Sequence, residues 1–276
     1  MRAATWDVLD AAYGAGVRWV DAARSYGRAE EFLSGWLDAR GHGDVTVSSK
    51  WGYAYVGDWR VDADVHEVKE HSLARYRTQY AETKRLLGTR LSLYQVHSLT
   101  HDSPLFDDVA LQAALAEAAA DGVKVGFSTS GPRQADTVRK AMELEVAGQR
   151  LFSAVQSTWN LLEPSAGDAL REAHEAGVHV LVKEGMANGR LAVRPPKAVS
   201  EAAARHGVGA DAVALAAVLA QEWADTVLSG GVSPAQLKSN LAAVTVALEE
   251  EELAELMTLA VPPELYWAER SALPWT

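Results

Sequence analysis

The sequence predicts an α/β fold built on a parallel sheet, and three observations carry that expectation. Short β-branched apolar runs alternate with Ala/Leu/Glu-rich stretches of helical period, which is the rhythm of repeated βαβ units. At 276 residues and 48% hydrophobic content, the chain can bury a large core and matches the roughly 250 residues of one α/β barrel. Three successive strand-like runs also stop at or just before an ionisable residue, where barrel enzymes keep their catalytic groups. No low-complexity linker or composition break appears, so one domain over residues 1–276 is expected.

The chain opens in a helix, Thr5 to Gly14, whose apolar face is Trp6, Val8, Leu9 and Ala12. Strands follow at Val17 to Val20, Val45 to Ser49, Leu91 to Val96, Val123 to Ser128, Phe152 to Gln156, Val178 to Val182 and Thr226 to Leu228, each a short run rich in β-branched residues. Helices are expected between them, near Glu30 to Ala39, Glu67 to Leu87, Leu111 to Asp121, Pro132 to Ala147, Gly167 to Ala176, Ala210 to Glu222 and Pro234 to Ala247. Glu249 to Glu252 reads as the solvated start of a last helix that turns Leu248, Leu253, Leu256 and Leu259 inward. That makes seven strands, with nothing strand-like before the first helix.

Composition narrows the partners. A net charge of −11 disfavours nucleic acid and anionic membranes. The absence of cysteine removes disulfides, thiolate catalysis and Cys-ligated metal. No apolar run approaches the 18 or so residues of a spanning helix, and the first residues lack a signal-peptide core, so a cytoplasmic protein is expected.

Asp21 and Tyr26 lie just past the first strand, in Asp21-x4-Tyr26-Gly27-x2-Glu30. Lys50 ends the second strand, and His97 ends the third in Tyr94-Gln-Val-His97. Taken singly these are a turn-forming acid, a rim phenol, a solvated lysine and a core histidine. Together, in this order and at this spacing, they resemble the catalytic tetrad of the aldo-keto reductases. The resemblance runs from Thr5 to about Leu259 and implies a TIM-type (β/α)8 barrel. That family begins with a β-hairpin plug and a first strand upstream of the helix that opens this chain. A barrel lacking the N-terminal hairpin and first strand is therefore expected, either a truncated product or one whose start lies further upstream. An open parallel barrel would leave two sheet edges exposed.

The resemblance makes Tyr26 the proton donor in carbonyl reduction and the base in alcohol oxidation. A free phenol ionises near pH 10, about, which is too weak an acid without help. A nearby Lys50 ammonium favours the phenolate, and Asp21 keeps that ammonium charged and in place. His97 offers an N–H to the carbonyl oxygen. The other histidines, His66, His71, His174 and His206, lack paired ligand spacing and read as surface groups.

The cofactor calls also rest on the resemblance, which implies NADP with NAD as competitor. Ser128 and Thr129 stand where the family usually has Ser-Asn at the nicotinamide carboxamide, and Gln156 matches the glutamine that bonds the same amide. The seventh strand departs from the family. In place of Tyr-Ser-Pro-Leu, whose Tyr stacks on nicotinamide, this chain reads Lys183-Glu184-Gly185, similar to a bacterial branch with a Lys-Glu loop. Lys183 could pair with Glu184, contact pyrophosphate or reposition the ring. Gly230 and Gly231 precede Ser233-Pro234-Ala-Gln236, a capping box with Pro at the first helical position. Lys238 and Asn240 follow on that helix, and the family binds the adenosine 2′-phosphate at this helix start. Members selective for NADP usually carry Arg or Lys near Val232, and here only Lys238 is close.

Nine tryptophans suggest an aromatic substrate pocket made by Trp51, Tyr53, Trp59, Trp159 and Trp267, with Trp6, Trp19 and Trp36 as core. Two other functions stay open: a redox-inactive NAD(P)-binding regulatory protein, motivated by the missing stacking Tyr, and an inactive truncated barrel.

Overall fold

The computed structural model describes residues 1–56 and 67–273, so Trp59, expected in the pocket, and His66, expected on the surface, lie outside the described residues. The chain divides into two compact units, Met1–Thr129 with Lys140–Ala154, and Ser130–Arg139 with Val155–Leu273.

The first unit begins with α1 (Arg2–Gly14), β1 (Trp19–Asp21), α2 (Ala29–Arg40) and β2 (Thr46–Trp51). The short antiparallel pair β3 (Tyr53–Tyr55) and β4 (Glu67–Lys69) comes next, then α3 (Leu73–Leu87), β5 (Leu91–Leu99), α4 (Val109–Ala120) and β6 (Lys124–Thr129). Strands β1, β2, β5 and β6 lie side by side in that order, all parallel. Registers pair Asp21 with Ser48 and Lys50 with Gln95. Because side chains alternate across a strand, Asp21, Ser48, Lys50, Gln95 and His97 share one face. On the opposite face Val47 and Trp51 are fully buried, and Trp51 meets Tyr76 of α3 edge-on at 5.1 Å.

Helix α2 buries Phe32, Leu33, Trp36 and Leu37 as one stripe, each such side chain contributing about 1.5–3 kcal/mol by leaving water. The Trp36 indole N–H donates to Asp10 of α1 at 2.8 Å, so the expected core tryptophan also ties two helices together. Capping fixes the later helices. Ser72 accepts from the Arg75 amide at 3.1 Å and starts α3, and Asp108 accepts from the Leu111 amide at 2.9 Å and starts α4.

Two helix expectations are corrected here. Residues Glu67–Lys69 are strand, and the helix expected from Glu67 begins only after the Ser72 cap. The helix expected over Pro132 to Ala147 is α5 (Gln134–Met142). Beyond it the chain doubles back as β7 (Glu145–Val146) and β8 (Gln149–Arg150). Ala147 and Gly148 both adopt positive φ, 51° and 75°, the geometry of a two-residue hairpin turn.

The second unit holds β9 (Ala154–Thr158), α6 (Gly167–Glu175), β10 (His179–Lys183), α7 (Lys197–His206), α8 (Ala210–Leu219), β11 (Thr226–Val227), α9 (Pro234–Leu241), α10 (Glu250–Met257) and α11 (Pro263–Ser271). Strands β9, β10 and β11 are neighbours in that order, with β10 and β11 parallel. Its core gathers Val213, Ala214 and Ala217 of α8 around Leu161, Leu191, Val199, Leu256, Tyr266 and Trp267. Helices α7 and α11 have no counterpart among the expected helices. Among the described residues no single helix is long and apolar enough to cross a membrane.

Candidate active site

The site is built on the ends of β1, β2 and β5. The chain leaves β1 still bonded to β2, with the Ala22 amide on Ser48 O at 2.8 Å and the Arg24 amide on Lys50 O at 2.9 Å. It then turns tightly: the Tyr26 amide donates to Ala23 O, the Ala29 amide donates to Tyr26 O, and Gly27 takes φ 62°. This turn presents Tyr26, half-exposed at 51%, above the strand ends. Glu30 of α2 secures it from below, since its buried carboxylate accepts from Arg24, Ser49 and Thr83.

Lys50 is 1% exposed, and its ammonium donates to Asp21 Oδ2 and to Ala22 O at 2.9 Å. Asp21 Oδ1 accepts from Ser48 Oγ at 2.6 Å and Gln95 Nε2 at 3.1 Å. A buried ion pair is tolerated when its remaining lone pairs and protons find partners, and Ala22 O, Ser48 and Gln95 supply such partners here. Burial works against the Lys50 charge, yet Asp21 and then Tyr26 outweigh it and raise the lysine above its ordinary 10.5, so it stays an ammonium at neutral pH. The ammonium lies 5.3 Å from the centre of the Tyr26 ring.

His97 meets Tyr26 edge-on with ring centres 5.6 Å apart, and Tyr53 of β3 meets His97 in the same manner at 4.9 Å. The four predicted tetrad residues are thus brought together. The pairing of β5 with β6 slips between Val96 and Leu99, and Ser98 takes φ 54°, which turns the strand at the residue after His97. The Ser98 amide is caught by Ser128 Oγ at 2.8 Å.

In the second unit, Gln156 is buried in β9. Lys183 at the end of β10 donates to Thr158 Oγ1 at 2.8 Å, sits 3.7 Å from Glu184 and lies 5.7 Å from the Trp267 ring centre. Burial raises the Glu184 carboxyl, but Lys183 and Arg270 overcome this and hold it down at about 2. Arg270 of α11 grips Glu184 Oε1 through two nitrogens, at 2.7 and 3.0 Å. The capping box at α9 is present: Ser233 Oγ accepts from the Gln236 amide at 3.2 Å, while the Gln236 side chain reaches back to the Val232 amide at 3.0 Å. Asn240 is turned inward onto Ser229 through its carbonyl and hydroxyl, and Lys238 is exposed.

Comparison with known proteins decides the lineage. The model of the Aldo/keto reductase family matches residues 2–260. The chain belongs to that family. An aldo-keto reductase of Strobilurus tenacellus, str7, is 26% identical over 94% of this reductase and 81% of its own length. A solved aldo-keto reductase from Bacillus halodurans, in its holo form, superposes with a TM-score of 0.73 at 22% identity, covering 95% of this chain and 89% of its own. A structure assigned as a 2,5-diketo-D-gluconic acid reductase B gives 0.69 at 25% identity, covering 96% and 85%. This reductase therefore has the TIM-type fold of its family and is an oxidoreductase, and the family's activity is NAD(P)-dependent reduction of small carbonyl compounds.

Several residues expected at the pocket or the cofactor lie in packed surroundings. Trp51 is fully buried against Tyr76 and His71 and so packs beneath the site instead of lining it. Trp159 is 2% exposed and packs edge-on against Trp223 at 5.7 Å. Trp267 is also buried, next to Tyr266. A Cβ on Gly185 would meet Leu215 at 3.0 Å and one on Gly231 would meet the Leu237 backbone at 3.2 Å, so each glycine allows a close packing contact. His71 is no surface group: it is 5% exposed and bonded on both ring nitrogens. Sequence reasoning also passed over Ser48 and Gln95. The signal was present, because each stands two residues before a tetrad member on its own strand, which puts it on the same face.

Proposed function

We propose that this protein reduces a small aldehyde or ketone with NADPH or NADH, and oxidises the corresponding alcohol or aldose in reverse, with Tyr26 as proton donor and base. The buried Lys50 ammonium, fixed by Asp21 beneath a half-exposed phenol, is the observation that carries this reading. An ammonium so placed stabilises the phenolate that Tyr26 becomes after giving up its proton. The His97 imidazole, edge-on to Tyr26, orients the carbonyl oxygen toward the phenol. The nicotinamide, when bound, supplies the hydride in reduction and takes it in oxidation.

The donor set fits that cofactor. Ser128 Oγ accepts from the Ser98 amide and keeps its own proton to donate; the family resemblance is what assigns Ser128, Thr129 and Gln156 to the carboxamide. The first turn of α9 has N–H groups without partners further along the helix, and the cap takes only some of them; with exposed Lys238 they suit a phosphate. Gly230 at φ 63° and Asn240 shape the loop that leads there. Lys183 is engaged by Thr158 and Glu184, which favours a role in holding the β10 loop over direct contact with pyrophosphate. Residues 1–276 are taken as one aldo-keto reductase domain.

Lys183 in place of the family's stacking Tyr favours a second reading, a cofactor-binding protein without turnover. Fluorescence titration with NADPH and NADH, alongside steady-state turnover on a panel of aldehydes, ketones and aldoses, separates the two. Binding with turnover supports the reductase, binding alone supports the second reading, and neither result is compatible with both.

A further inference from the structure

We infer that His71, together with Lys69, is a positioning device for the catalytic histidine: the segment around β4 holds the distorted end of β5 and thereby sets the orientation of His97. This rests on the reductase reading for its catalytic consequence, though its structural claim stands apart from it.

The His71 ring spans two bonds. Nε2 lies 2.9 Å from the carbonyl oxygen of His97, and Nδ1 lies 2.8 Å from Ser103 Oγ. A carbonyl can only accept, so Nε2 carries the proton and donates it, and Nδ1 accepts from the Ser103 hydroxyl. Burial pushes His71 down to about 4, which keeps this neutral, single-tautomer arrangement intact at physiological pH. Two residues earlier, Lys69 Nζ donates to the next carbonyl, Ser98 O, at 2.9 Å. The carbonyls of His97 and Ser98 are therefore caught in succession where the β5–β6 pairing slips. The Ser98 amide is held from the other side by Ser128.

The fit is close enough to restrict a neighbouring residue. A Cβ on Gly52 would lie 2.7 Å from His71 Cδ2, and Gly52 has φ 116°, so the chain between β2 and β3 passes against the ring only because this residue has no side chain. Gln79 closes the arrangement, accepting from the Gly52 amide at 2.9 Å and donating to Tyr53 O at 2.7 Å. Through Gly52 and Tyr53 the device reaches the His97 ring, which Tyr53 meets edge-on.

The test uses His71→Gln, whose amide nitrogen can replace Nε2 as donor to His97 O, against His71→Leu, of similar bulk but without a donor. Lys69→Met, at an exposed side chain, is the variant that folds even if the buried one does not. Expected for His71→Leu is a kcat loss of roughly 10- to 100-fold with KM little changed, the size that misplacing a catalytic group by about 1 Å produces. His71→Gln should restore most of that loss. The NMR resonance of the His97 ring should move in His71→Leu and in Lys69→Met, and stay near wild type in His71→Gln. Equal kcat losses in Gln and Leu, or an unmoved His97 resonance in both Leu and Met variants, would overturn the inference. If wild type turns over no carbonyl, the reductase reading falls while the resonance comparison still decides this one.

Discussion

In the proposed mechanism Tyr26 and Lys50 divide the work of one proton transfer, and substitution separates their shares. Tyr26→Phe removes only the donated proton, so kcat should fall by about 10³-fold or more while the dissociation constant for NADPH stays near wild type. Retained turnover in that variant would remove Tyr26 from the mechanism. Asp21→Asn acts differently, because it strands a buried ammonium whose remaining bond is to Ala22 O. Breaking one side of a buried pair costs about 3–5 kcal/mol, which urea unfolding should register. Replacing both members, as in Asp21→Asn with Lys50→Met, should cost less than the two single changes added together. At this scale the tetrad was legible in the sequence, because strand ends were recognisable and each stopped on a distinctive residue. His71 was not, since its partners His97 and Ser103 are 26 and 32 residues away and no local pattern announces them.

The loop after β10 begins at Glu184-Gly185 and is tied to α11 by Glu184 and Arg270. Glu184, Ala187 and Asn188 all adopt positive φ, between 49° and 56°, so the loop needs such restraint. The Glu184 carboxyl sits at about 2 in the folded protein against an ordinary 4.5. Its contribution to stability is therefore complete above pH 4.5 and is lost as the pH falls toward 2. Denaturant midpoints measured across that window should drop more steeply for wild type than for Glu184→Gln, and parallel curves would show that the pair adds nothing. Elements of regular period were readable in advance: each of the seven long-range strands was placed within a few residues. The strands that were missed, β3, β4, β7 and β8, span only two or three residues, too few for alternation to show. Helix α7 was missed because it follows two prolines and lacks a strong apolar stripe in the sequence.

For the molecule as a whole, a bound cofactor stabilises the folded state by mass action, by about 2.7 kcal/mol at a hundred times its dissociation constant. Melting temperature should rise with NADPH and with NADH. With Val232 where relatives selective for NADP carry a base, the two affinities should lie within about tenfold, roughly 1.4 kcal/mol. A hundredfold preference for NADPH would assign the 2′-phosphate to Lys238 or another basic group. The contact between Gly52 and His71 has a consequence in the history of the sequence. A side chain at 52 would strike the ring at 71, and φ 116° would strain it even beside a smaller residue, whereas position 71 carries no such backbone demand. Lineages that lost the histidine should therefore still keep glycine at 52, so of the two alignment columns the glycine should be the more constant.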